Sequence, residues 1–115
     1  MTAERDALFK LATEFWRLIK TYERSLVDIP PNRLSGTIAQ LRYSFGRLGP
    51  ICQEAGLRLI SYDHEPYEPN LPVSVSNTED AGEFVDPIIE RTLEPTIMAD
   101  GQVVAQGRVI LKERT

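Results

Sequence analysis

The sequence predicts an α+β fold, in which an N-terminal antiparallel helical hairpin precedes a small, mostly antiparallel β domain. Up to Ala55 the apolar residues recur at spacings of three and four, which is typical of helices. Beyond Gly56 they form short runs rich in valine and isoleucine, which favour strands. Gly56 separates the two patterns and suits the end of a helix. We therefore predict a helical domain over 1–56 and a β domain over 57–115.

The first helix is predicted to begin at Thr2 or Ala3, with Glu4 near its positive N-terminal end. It must end by the pair Pro30-Pro31, because proline disfavours helix in the residue before it. The apolar residues of this segment fall on one stripe: Leu8, Leu11, Ala12, Phe15, Leu18, Ile19, Tyr22 and Leu26.

The second helix carries its own stripe and could be capped by Asn32 or Ser35. We expect it to kink or restart near Gly49-Pro50, because proline has no N–H to donate and crowds the preceding turn. Its apolar stripe is Leu34, Ile38, Leu41, Phe45, Leu48, Cys52 and Ala55.

A two-helix hairpin buries one face of each helix and leaves other apolar residues without a partner, Trp16 among them. A second copy of the chain would cover them in a four-helix bundle, which predicts a homodimer. The alternative is that the β half covers them. The predicted dimerisation residues are Phe15, Trp16, Ile19, Leu41, Phe45 and Leu48.

The β half is predicted to hold short strands at 57–62, 73–76, within 84–93, at 97–98, 102–105 and 109–111. Asp100-Gly101 is a preferred sequence for a tight hairpin turn, and Gly107 suits a bulge. The segment 63–72, which contains three prolines, is the most loop-like part.

Charge is distributed unevenly along the chain. Residues 57–115 carry five Lys or Arg against eleven Asp or Glu, which disfavours nucleic acid as a partner. No apolar run approaches the roughly 20 residues that span a bilayer, so we expect no membrane partner. The first residues lack the layout of a signal peptide, and the single cysteine fits a reducing compartment. These features predict a cytoplasmic protein.

Residues for catalysis are sparse. His64 and Cys52 are the only residues of their types, which argues against a zinc site or a nucleophile paired with histidine. Cys52 is interpreted as a core residue and His64 as a surface residue. Glu65 and Glu68 could share acid–base work, but no pocket is predicted around them. We therefore expect a binding protein without metal or cofactor, not an enzyme.

The chain from about Leu8 to Lys112 resembles the GrpE family, the nucleotide exchange factors of DnaK-type chaperones. The family's motifs occur in the same order and at similar spacing. The residues that carry the resemblance are Glu23-Arg24-Ser25-Leu26, the run from Leu48 to Leu57, Tyr67-Glu68-Pro69-Asn70-Leu71, Thr96-Ile97, Gly101-Gln102 and the strand from Val103 to Leu111.

The chain departs from the family at recognisable positions. Pro72-Val73-Ser74 stands where the family has His-Glu-Ala, and Gln102 and Ala105 replace two arginines of the terminal hairpin. The first part of the family's long N-terminal helix has no counterpart. The resemblance implies a cochaperone that binds the nucleotide-binding domain of a DnaK-type chaperone and promotes ADP release.

The partner contacts implied by this resemblance are Pro66, Tyr67, Pro69, Met98, Gln102 and Leu111. Three of them, Tyr67, Met98 and Leu111, could instead fill the core of the β domain. The departures favour a different interpretation, an adaptor or small acidic dimeric chaperone that keeps the fold with a changed partner. A third interpretation is an enzyme that uses acidic loop residues.

Overall fold

A computed structural model describes residues 3–114 as two helices followed by six strands, an α+β fold as predicted. Helix α1 spans Ala3–Arg24 and continues into a 3₁₀ turn at Ser25–Asp28. Helix α2 spans Pro31–Glu54. The chain divides between Leu57 and Arg58 into two compact units, which are described separately.

Helix α2 begins differently from the prediction. Its N-cap is Pro30, and Pro31 is its first residue, so neither Asn32 nor Ser35 caps it. Proline suits the first helical position because its missing N–H has no partner there in any helix, and its fixed φ is already helical. The alternative start of α1 at Thr2 lies outside the described residues.

Helix α2 also does not restart at Gly49-Pro50, since it continues through Pro50 to Glu54. Leu48 and Cys52, on either side of the proline, are both buried. Their packing holds the two segments in one helix despite the hydrogen bond that proline cannot donate. Gly56, with φ of 74°, then ends the helical segment in the left-handed conformation, as expected.

The buried face of α1 is rotated from the centre of the predicted stripe. Its buried residues are Ala12, Trp16 and Ile19, spaced by four and three. Trp16, expected to lie uncovered in a single chain, is only 2% exposed. Leu11 and Leu18 belong to the predicted stripe but are 67% and 66% exposed. The surplus apolar residues of α1 are therefore these leucines rather than Trp16.

Six strands form two three-stranded sheets. The strands are β1 (Leu57–Ile60), β2 (Val73–Val75), β3 (Pro87–Glu94), β4 (Thr96–Ala99), β5 (Gln102–Ala105) and β6 (Gly107–Glu113). The first sheet has the order β1-β4-β5 and the second the order β2-β6-β3. Strand β6 pairs in parallel with β2 and antiparallel with β3.

The second sheet carries the core of the β unit. Along β6, Gly107, Val109 and Leu111 are buried and alternate with more exposed residues, as a strand with one covered face requires. The buried cluster around them consists of Tyr62, Val73, Ile89, Val109 and Leu111.

The segment 63–72, expected to be a loop, is partly paired with β3. The Ile89 N–H donates to the Glu65 carbonyl at 2.9 Å, and the Tyr67 N–H donates to the Pro87 carbonyl at 3.0 Å. Pro66 forms a single bridge with Ile88. The three prolines make this pairing hard to predict from the sequence, because proline normally interrupts a strand.

Candidate functional site

The helical hairpin carries an apolar groove between α1 and α2. One hollow of the groove has a volume of about 350 Å³, and its lining includes Leu8 and Ile51. A second hollow, of about 270 Å³, includes Tyr22 and Gln40. Because residues early in α1 meet residues late in α2, the two helices run antiparallel. Phe15 and Ser44 line both hollows, which therefore lie side by side along the hairpin and are together called the groove.

The side chains along the groove are unusually exposed for apolar residues. On α1, Leu11 and Leu18 are about two-thirds exposed, and Tyr22 is 46% exposed. On α2, Tyr43 is 61% exposed and Ile51 is 43% exposed. A contiguous apolar surface of this kind marks a protein interface more often than plain solvent-facing surface.

The predicted dimerisation residues divide into two groups in the structure. Trp16, Ile19 and Leu48 are buried in the single chain, and Ile19 and Leu48 also border the hollows of the groove. Phe15 and Phe45 are each 37% exposed, and Leu41 is half-buried. Phe15 and Leu41 line the groove and could meet a partner.

Phe45 lines neither hollow, and its ring contacts the same lysine as the ring of Trp16. The Lys20 Nζ atom lies 4.9 Å from the centroid of the Phe45 ring and 5.4 Å from that of Trp16. A cation over two ring faces stabilises this packing by electrostatic attraction to the rings. Phe45 therefore joins α1 to α2.

The predicted partner-binding residues lie in two places in the β unit. Met98 and Gln102 belong to the β4–β5 hairpin, in which Met98 pairs with Val103 and Ala99 with Gln102. Pro66 and Tyr67 lie beside β3 in the other sheet, and exposed Pro69 follows them in the same segment.

Leu111 takes the alternative, structural role. It is 2% exposed and belongs to the buried cluster of the second sheet. Tyr67 is half-buried and packs against the same cluster. Among the predicted contacts, Pro66, Pro69 and Gln102 are exposed, and Met98 is half-buried.

The β4–β5 hairpin has the turn that its sequence predicts. Asp100 and Gly101 have φ of 54° and 77°, both left-handed, which matches the right-handed twist of the two strands. After the turn, Gln102, Val103 and Val104 are exposed in succession. The two valines were not among the predicted contacts; their adjacency, which breaks the alternation of an ordinary strand, is the signal in the sequence.

The described residues contain little that could carry chemistry. No group of three or more His, Cys, Asp or Glu side chains within 3–114 is placed to hold a metal ion. Cys52 is buried, and desolvation by this burial raises the pKa of its thiol above the ordinary value, which disfavours the reactive thiolate. No helix in the same range is long and apolar enough to cross a membrane.

Comparisons with known proteins find no family model, no curated protein and no solved structure that matches the chain. The resemblance to the GrpE family thus remains a prediction from the residues that carry it.

Proposed function

We propose that this chain is a GrpE-like cochaperone that binds the nucleotide-binding domain of a DnaK-type chaperone and promotes ADP release. In this proposal it acts as a homodimer, joined through the apolar groove, and is not an enzyme. Exchange would follow from a population shift, because a partner that binds the open nucleotide cleft more tightly than the closed one favours the open state.

The observation that carries the proposal is the combination of an open apolar groove on the helical hairpin with an exposed strand β5 in the β unit. The first offers a surface for a second copy, and the second offers a surface for another protein. Both surfaces lie in the order along the chain that the resemblance implies.

The spacing of the exposed leucines along the groove supports self-association. Leu11 and Leu18 are seven residues apart and both point to the open side of α1, as in the seam of a helical bundle. A second copy would place the same apolar row against them by twofold symmetry. Packing two hairpins in this way gives the four-helix bundle that the sequence predicts.

The chaperone contact is proposed at exposed residues of the β unit rather than at Leu111. Pro66, Pro69 and Gln102 can reach a partner without rearrangement, and half-buried Met98 lies on the paired strand β4, opposite Val103. Substitution of Leu111 would disrupt the core and would therefore report on folding instead of binding.

Release of a fluorescent ADP analogue from the nucleotide-binding domain of a DnaK-type chaperone of the same organism tests the proposal. Saturating protein should speed release, and Gln102→Glu should weaken the effect by placing an extra charge in the contact. Gln53→Glu is the matched control, because Gln53 is also exposed but lies on α2. An unchanged release rate with wild-type protein would contradict the exchange function.

A second candidate is an adaptor or small acidic dimeric chaperone with the same fold and a changed partner. It is favoured by Gln102 and Ala105, which leave the β4–β5 hairpin without a basic residue. Such a protein would bind the chaperone without accelerating release, or would not bind it. The same experiment, combined with a direct binding measurement, separates the two functions.

A further inference from the structure

Strand β5 contains an irregularity that exposes two neighbouring valines. Ile97 pairs with Ala105 and Met98 with Val103, so the register shifts by one residue and Val104 has no opposing residue on β4. An extra residue of this kind is a β-bulge, which re-aims the side chains beside it. Val103 and Val104, at this bulge, are 46% and 38% exposed.

The exposure of the two valines contrasts with the burial of strand β4, which pairs with β5. On β4, Ile97 is fully buried and Ala99 is 5% exposed. Strand β5 is the edge of its sheet, and no strand within 3–114 pairs with its free side. The bulge interrupts the regular hydrogen-bonding row of that edge, which disfavours addition of another strand and leaves side-chain contact as the mode of binding.

The scarcity of charged residues in the sequence next to the valines limits the kind of partner. From Thr96 to Gln106 the only charged residue is Asp100, at the turn, although residues 57–115 as a whole carry five basic against eleven acidic residues. A neutral apolar patch within an acidic unit gains little from a charged partner surface and most from an apolar one, since desolvating an unpaired charge is costly.

We propose that Val103 and Val104 form the specificity-determining contact of the β4–β5 hairpin and bind an uncharged, apolar patch on the nucleotide-binding domain of the cognate chaperone. This inference rests on the proposed function and adds the chemistry of the contact. Because the contact is apolar, the affinity should depend weakly on salt, in contrast to a contact made by charged side chains.

The test compares isosteric variants of valine in binding to the nucleotide-binding domain of a DnaK-type chaperone of the same organism. The double variant Val103→Thr, Val104→Thr keeps the β-branched shape and should weaken binding about tenfold, because each substitution replaces a methyl group that the partner would bury by a hydroxyl. Val85→Thr is the matched control: Val85 is 74% exposed but lies before β3, and its variant should bind like the wild type.

The outcomes separate this inference from the proposed function. Wild-type binding that weakens in the double variant and changes less than about threefold between low and moderate salt supports it. Wild-type binding that persists in a folded double variant, or that falls steeply with salt, overturns the inference alone. Absence of wild-type binding to any chaperone of the DnaK type in that organism overturns both. Circular dichroism of the double variant establishes that it is folded.

Discussion

The hydroxyl of Thr96 lies against the backbone of Gly107, at the start of β6. The Gly107 N–H donates to Thr96 Oγ1 at 3.2 Å, and this hydroxyl donates to the Pro72 carbonyl at 2.8 Å. Thr96 is fully buried, so the hydroxyl meets its hydrogen-bonding requirement within the protein. Thr96 thereby links β4, β6 and the residue before β2.

Gly107→Ala should destabilise the β unit by about 1–3 kcal/mol, because a methyl group there overpacks a filled site. The added Cβ would lie 2.7 Å from Thr96 Oγ1 and 2.9 Å from the Glu94 carbonyl oxygen. Urea unfolding followed by circular dichroism measures the change. Unfolding at the wild-type urea concentration would show that β6 can move away from β4 at little cost.

Gly36→Ala should have the opposite effect and stabilise the protein by about 0.5–1 kcal/mol, since glycine costs entropy in a helix interior. Gly36 lies within α2, and apart from its chain neighbours and the backbone of its own helix no atom lies within 4 Å of the Cβ that would be added. The same urea experiment applies. A loss of stability would indicate that another chain approaches α2 at Gly36.

Thr92→Val should cost about 1–3 kcal/mol, because it leaves a buried N–H without an acceptor. Thr92 is 1% exposed, and its Oγ1 accepts the Tyr62 N–H at 2.9 Å. Thr92→Ser keeps this acceptor and removes only a methyl group, so it serves as the control. If Thr92→Val were as stable as the wild type, or Thr92→Ser were less stable than Thr92→Val, the methyl group rather than the hydrogen bond would be the important feature.

Substituting glutamate for both Leu11 and Leu18 should convert the proposed dimer into a monomer that keeps its helical content. Both leucines are exposed on the groove, so charges there disrupt association without affecting the buried face of α1. Light scattering at micromolar concentration measures the mass.

Val27→Glu is the control for the dimer. Val27 is 88% exposed in the 3₁₀ turn after α1 and does not line either hollow, so its variant should remain dimeric. A wild-type protein that scatters light as a monomer would rule out the dimer.

The sequence alone determined the local elements. Spacings of three and four define α1 and α2, Gly56 follows the end of α2, and Asp100-Gly101 forms the expected left-handed turn. These features depend on neighbours along the chain, through backbone conformation and the repeat of apolar residues. Fold class and the approximate positions of all six strands could therefore be predicted.

Only the tertiary structure decided which apolar residues are buried. The stripe of α1 is wider than the surface that packing covers, and the sequence does not say that Trp16 lies inside while Leu11 and Leu18 lie outside. The strand register also depends on distant pairing. It buries Leu111 and leaves Val103 and Val104, at the bulge in β5, exposed. A shift of one residue in pairing reverses the face of a strand side chain, and local sequence cannot fix that choice.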